Sequence, residues 1–96
     1  MMETAAELCR RAIDHEEGEE WDEAIACYTR AIELAPDWAD AHLFRGVLHD
    51  QMGQLDKALV NFNQASRLSP ADNTAKKLRA EARVERACGT GSKRNA

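Results

Sequence analysis

In the first third of the chain, two sets of mainly small or apolar residues follow a spacing of four and then three. The sets are Leu8, Ala12 and His15, and Ala24, Tyr28 and Ala31. Residues spaced in this way lie on one face of an α-helix. The pattern therefore predicts two amphipathic helices in this part of the chain.

Two glycines and two prolines divide the chain into helix-sized segments. Gly18 and Gly53 fall where the chain must reverse direction. Pro36 and Pro70 end the helices before them, because proline lacks the backbone N–H and restricts the preceding residue. These breaks predict five helices, at Glu3–Glu17, Glu20–Leu34, Trp38–Met52, Leu55–Leu68 and Ala71–Ala87.

The sequence repeats itself after 34 residues, the distance between Pro36 and Pro70. The shift superposes identical residues: Ala5/Ala39, Arg11/Arg45, His15/His49, Asp22/Asp56, Ala24/Ala58, Ala31/Ala65 and Leu34/Leu68. A period of this length is typical of stacked helix pairs. Small residues inside each block let paired helices approach closely, and Tyr28 and Phe62 are expected to fill the space between them.

The two blocks resemble tetratricopeptide repeats. The first has Ala12, Ala24-x3-Tyr28, Ala31 and Pro36, and the second has Gly46, Ala58-x3-Phe62, Ala65 and Pro70. The resemblance implies an all-α, TPR-like array of five antiparallel helices, a fragment of a right-handed superhelix. Repeat one is expected over 5–38, repeat two over 39–72 and a capping helix over 71–88. Residues 1–88 would then form a single domain, followed by a mobile tail over 89–96.

Both ends of the array lead to expectations. A stripe of Ala71, Ala75, Leu78 and Ala82 predicts that the last helix covers the open end of repeat two, with Leu78 as the plug. At the other end, Met1, Met2, Ala5 and Leu8 are expected to leave apolar surface exposed. That surface predicts weak homo-oligomerisation.

Composition narrows the classes of partner. The net charge of −4 divides into −8 over residues 1–70 and +4 over residues 71–96. An acidic body argues against nucleic acid, whose affinity comes mostly from phosphate neutralisation. No apolar run approaches the length of a membrane helix, so we expect no membrane partner. Three cysteines without metal-ligand spacing favour reduced thiols and a cytoplasmic location.

The candidate chemistry is weak. Seven of the ten residues from Asp14 to Glu23 are carboxylates, a pattern that charge complementation at a helix start explains better than a cation site. His15, His42 and His49 could hold a metal only if they converged with a carboxylate, and packing is the simpler interpretation. Serine and cysteine lie in no nucleophile motif. We therefore expect no metal, no cofactor and no enzyme.

A partner-binding groove follows from the resemblance. In the family, the first helices of successive repeats line a concave groove that accepts an extended peptide or a helix. The matching residues are Ala6, Cys9, Ile13, Glu17, Asp40, Leu43, Val47, Asp50, Gln51, Lys77 and Glu81. An apolar floor with an acidic rim would suit an apolar or amphipathic segment with basic residues. The alternative is that Ile13, Leu43 and Val47 belong to the core.

Chaperone-docking members of the family grip a C-terminal carboxylate with lysine, asparagine and arginine side chains. The matching sites here are Cys9, Ile13, Phe44, Thr74 and Leu78, so that clamp is absent. The expected function is non-catalytic protein–protein interaction, as an adaptor or accessory subunit. The alternative is a structural module that homodimerises through its open repeat ends.

Overall fold

In a computed structural model, the described part of the chain forms a row of five α-helices. The model describes residues 3–71 and 73–88, except for the side chains of residues 73 and 83–88. The helices are α1 (Ala5–Glu17), α2 (Trp21–Leu34), α3 (Ala39–Gln51), α4 (Leu55–Leu68) and α5 (Asn73–Cys88). Each helix packs against the next one along the chain. The all-α array predicted from the 34-residue period is confirmed, and each predicted helix end lies within two residues of the observed one.

Two helices begin two residues later than predicted. Helix α1 begins after Thr4, whose hydroxyl accepts a hydrogen bond from the Glu7 backbone while the Glu7 side chain accepts one from the Thr4 backbone. This capping box excludes Glu3 from the helix. Helix α5 begins at Asn73, so Ala71 is an exposed residue outside the helix rather than part of its apolar stripe.

The core of repeat one contains the residues that the periodicity selected. Ala12, Ala24 and Ala31 are fully buried, and the Tyr28 ring fills the space between α1 and α2. Leu8 is 2% exposed, so the expectation that it leaves apolar surface at the end of the array is wrong. Ala5, which was also part of that expectation, is partly buried against this core. Met1 and Met2 lie outside the described residues, as does the predicted tail over 89–96.

The core of repeat two depends on α5. Ala58 and Phe62 from α4 pack with Ala82 from α5, and Leu43, Val47, Leu59 and Leu78 cover this cluster. A methyl group placed on Gly46 would come within 2.6 Å of Phe62 Cε1, so α3 and α4 touch here through the bare glycine backbone. The small residue at this site sets the closeness of the helix pair.

Candidate peptide-binding groove

A groove of about 360 Å³ runs across one face of the array. Helices α1, α3 and α5 form its walls, and one side chain of α2 forms part of its floor. The described residues that line this groove are Ile13, Glu16, Tyr28, Leu43, Phe44, Val47, Thr74 and Leu78. Most of the lining is aliphatic or aromatic, and Glu16 is its one charged side chain among the described residues.

Two aromatic rings and one carboxylate define the middle of the groove. The ring centroids of Tyr28 and Phe44 are 6.1 Å apart, with the ring planes tilted by 37°, which is a favourable aromatic arrangement. The Tyr28 hydroxyl donates a hydrogen bond to Glu16 Oε2. Burial, together with that bond to a carboxylate, raises the pKa of Tyr28 well above its usual range. The hydroxyl therefore stays protonated and acts as a donor that orients Glu16.

Three of the residues predicted for the groove do line it. Ile13 is 43% exposed and packs in neither core cluster. Leu43 and Val47 are half-buried, and each both lines the groove and covers the Phe62 cluster. Leu43 and Val47 therefore belong to both the groove lining and the core, because the apolar face of α3 lies between the groove and the Phe62 cluster.

Three other predicted residues lie elsewhere. Cys9 is 4% exposed and belongs to the core of repeat one. Burial raises the pKa of its thiol, and the nearby Asp40 charge adds to this effect. Asp50 is 9% exposed. Gln51 lines a second cavity, of about 300 Å³, with Trp21 and Met52. Cys9 shares a face of α1 with Ile13, and Asp50 shares a face of α3 with Leu43 and Val47. The predicted helix faces therefore include the lining, but the groove covers only part of each face.

The remaining predicted residues are exposed at positions that do not form the lining. Glu17 and Asp40 are exposed on α1 and α3, and Lys77 is exposed on α5. Ala6 and Glu81 are likewise exposed. These side chains are exposed to solvent outside the groove lining.

Five lining residues were absent from the predicted groove. Phe44 and Thr74 enter the sequence prediction only as positions of the absent carboxylate clamp, Leu78 as a clamp position and as the plug of repeat two, and Tyr28 as a packing residue. Glu16 is not distinguished by the sequence from the neighbouring carboxylates of its acidic run. Of the five clamp positions, four line the groove, and Cys9 is buried. The groove thus occupies the clamp region but presents apolar groups and one hydroxyl there instead of cations.

The histidines serve the turns and the helix packing. His42 Nε2 lies 3.0 Å from the Pro36 carbonyl oxygen, and His49 Nδ1 lies 2.7 Å from Gln54 Oε1. His15 Nδ1 makes the equivalent contact with Glu20 Oε1 at 2.7 Å. Within the described part of the chain, no three His, Cys, Asp or Glu side chains are grouped so that they could hold a metal ion.

Comparison with solved structures shows the same fold. The first TPR domain of Spaghetti (RPAP3), solved with the HSP90 peptide SRMEEVD, matches 84% of this chain and 64% of its own, with a TM-score of 0.80 and 23% identity. A crystal structure of MamA matches 82% of this chain and 52% of its own, with a TM-score of 0.72 and 28% identity. This chain thus spans between half and two thirds of the structures it resembles.

Sequence comparison gives the family. A TPR repeat model matches residues 16–53, and a Tetratricopeptide repeat model matches residues 39–72. A 57-residue segment is 37% identical to a UDP-N-acetylglucosamine–peptide N-acetylglucosaminyltransferase of Giardia intestinalis, and it covers 59% of this chain but only 4% of that protein. Because the two models together cover residues 16–72 and the helices stack as the repeats require, the chain belongs to the tetratricopeptide repeat family.

Proposed function

We propose that this chain is a non-catalytic protein-interaction module that binds an amphipathic helix in the groove between α1, α3 and α5. The observation that carries the proposal is the exposure of Ile13 and Phe44, which are 43% and 37% exposed within the groove. Apolar side chains grouped in a concave surface favour a partner that covers them. The peptide bound to the Spaghetti domain is a precedent for ligands on this fold.

The chemistry of the groove indicates the ligand. A helix that presents apolar side chains one turn apart would place them against Ile13, Phe44 and Leu78. Basic residues on the flanks of such a helix would face Glu17 and Asp40, which are exposed. Affinity on the order of micromolar is expected, because a groove of this size buries little area. Salt should weaken binding modestly by screening the flanking charges.

The cellular setting and role are part of the proposal. Cys9 and Cys27 are free thiols, which suits a reducing compartment such as the cytoplasm, and an adaptor or accessory subunit is the role that fits such a module. Among the described residues, no helix combines the length and the apolar composition needed to cross a bilayer. The acidic charge of residues 1–70 supports a protein partner over nucleic acid.

The test is selection of displayed helical peptides on the intact chain, followed by fluorescence anisotropy with the enriched peptide. We expect enriched sequences to carry apolar residues one helical turn apart. Ile13→Ser should weaken binding about tenfold or more, since it removes an exposed anchor. Val60→Ser is the matched control, because Val60 is a 67% exposed β-branched residue outside the groove lining. A lack of enrichment, or equal effects of the two substitutions, would contradict the proposal.

A further inference from the structure

We infer that Glu16 is a specificity residue of the groove and that it selects a ligand whose apolar anchors are accompanied by one lysine or arginine placed against the Glu16 carboxylate. This inference rests on the proposed function, since it requires a ligand in the groove. It differs from a general preference for basic flanks because it places the cation among the apolar anchors. The exposed carboxylates at the ends of the groove would not impose that position.

The geometry around Glu16 supports a fixed recognition point. Glu16 lines the groove and is only partly exposed, and its Oε2 accepts a hydrogen bond from the Tyr28 hydroxyl. That bond uses part of the acceptor capacity of the carboxylate, which can accept further hydrogen bonds at both oxygens. Tyr28 is itself 1% exposed and held by the core of repeat one, so the carboxylate is oriented by a rigid donor.

The free-energy cost of desolvating the Glu16 carboxylate makes the groove selective for cationic ligands. A purely apolar ligand that covered Glu16 would remove water from a charged carboxylate and return no hydrogen bond, which is unfavourable. A lysine or arginine placed against the carboxylate replaces that water with a charge-assisted hydrogen bond. An acidic ligand would meet like charge in surroundings of low polarity. Glu16 therefore both favours cationic ligands and disfavours acidic ones.

The clamp region supports the same direction of selectivity. Where relatives of the carboxylate-clamp type would carry cations, this chain has Ile13, Phe44, Thr74 and Leu78 in the groove lining. The acidic peptide SRMEEVD, which the Spaghetti domain binds, would find no cation among the described lining residues here. The peptide carries one arginine but three acidic side chains, so we expect it to bind more weakly than the enriched lysine peptide.

The experiment is a double-mutant cycle with the helical peptide enriched on the intact chain and its analogue with norleucine in place of lysine. Norleucine keeps the aliphatic stem and removes the charge. On the unmodified chain the lysine peptide should bind about tenfold more tightly than its analogue. On the Glu16→Gln variant the two peptides should bind within about twofold of each other, the limit of additivity in such cycles.

Tyr28→Phe tests the positioning role of the hydroxyl. Phe62 occupies the equivalent site in repeat two, so the fold accommodates phenylalanine there. This variant should reduce the preference for lysine over norleucine, because Glu16 loses the donor that orients it, whereas a structural defect would weaken the binding of both peptides by the same factor.

Three results would overturn the inference. The first is an enriched peptide without a cation, the second is equal affinity of the two peptides on the unmodified chain, and the third is a lysine preference that survives Glu16→Gln. If no peptide competes at the groove at all, the proposed function itself fails.

Discussion

The turns inside the two repeats follow the same backbone path but place glycine differently. In repeat two, Gly53 adopts a left-handed conformation with a φ of 80°. The equivalent residue of repeat one is Glu19, which has a φ of 59°. The glycine of repeat one stands one position earlier, at Gly18, whose φ of −89° is accessible to any residue. The comparison teaches that repeat one tolerates a strained residue where repeat two has the residue that fits.

The same two turns are closed by matching hydrogen bonds. The Glu20 backbone N–H donates to the His15 carbonyl at 2.8 Å, and the Gln54 backbone N–H donates to the His49 carbonyl at 2.8 Å. Each histidine also contacts the side chain of that same partner at 2.7 Å. The path of the turn is therefore fixed by backbone and side-chain bonds, and these hold Glu19 in its unfavourable conformation.

The largest loss of stability is expected from truncating Leu78, because the cores of the two repeats are covered differently. Repeat one is covered by α3, whereas the Phe62 cluster of repeat two depends on Leu78 and Ala82 of α5. Leu78→Ala should lower the free energy of unfolding by about 2–4 kcal/mol, by loss of buried apolar contact and creation of a cavity. Urea unfolding followed by circular dichroism measures this change.

Leu34→Ala is the matched control for the Leu78 substitution. Leu34 is 51% exposed at the end of α2, so its truncation should cost less than about 0.5 kcal/mol. Equal effects of the two leucine substitutions would show that α5 is not required to cover repeat two.

The next effect concerns the closest contact between paired helices. Gly46→Ala would bring the new methyl group within 2.6 Å of Phe62, a ring that is fully buried. We expect a loss of about 1–3 kcal/mol from overpacking, despite the better helix propensity of alanine. Thermal unfolding tests this expectation. Ala12 is the equivalent residue of repeat one. An increase in melting temperature would therefore mean that α3 and α4 can move apart enough to accept an alanine, as α1 and α2 accept Ala12.

A smaller effect is expected from exchanging the turn residues. Gly53→Ala should cost about 1 kcal/mol, because a side chain is unfavourable in the left-handed region. Glu19→Gly should stabilise repeat one by about 0.5 kcal/mol, since relief of strain is partly offset by the greater freedom of glycine in the unfolded chain. Gly18→Ala is the control. Its methyl group would lie 3.7 Å from the nearest atoms, so it should be neutral or stabilising. Chemical denaturation of the three variants gives the values, and destabilisation by Glu19→Gly would refute the strain argument.

The sequence predicts the residues of the core better than the residues of the groove. The 34-residue period located Tyr28 and Phe62 correctly, because a packed interface repeats whenever its residues repeat. The groove was harder to predict, since Cys9 and Glu16 lie on the same face of α1, and periodicity does not tell which stretch of that face is covered by the core and which stays open to a ligand. Glu16 was also one of seven carboxylates between Asp14 and Glu23, and only the contact with Tyr28 distinguishes it.

The smallest effect concerns the chemical difference between the two turn histidines. His49 is 8% exposed and pairs with the neutral Gln54, whereas His15 pairs with the carboxylate of Glu20. Burial lowers the pKa of His49 below its usual value of 6.5, and the nearby Arg45 charge adds to that effect. The unfolded chain then binds more protons than the folded chain as the pH falls below about 6.5. The protein should therefore lose stability from that pH downward, until the folded-state pKa is passed.

Gln54→Glu would give repeat two the histidine–carboxylate pair of repeat one. A carboxylate beside His49 favours the protonated imidazole, so it should raise the pKa of His49 and reduce the loss of stability on mild acidification. The measurement is the free energy of unfolding between about pH 7 and pH 5.5, above the range in which most carboxylates titrate. Gln51→Glu, on the exposed end of α3, controls for added charge. If the acid sensitivity of Gln54→Glu matched that of the unmodified chain, protonation of His49 would not be its cause.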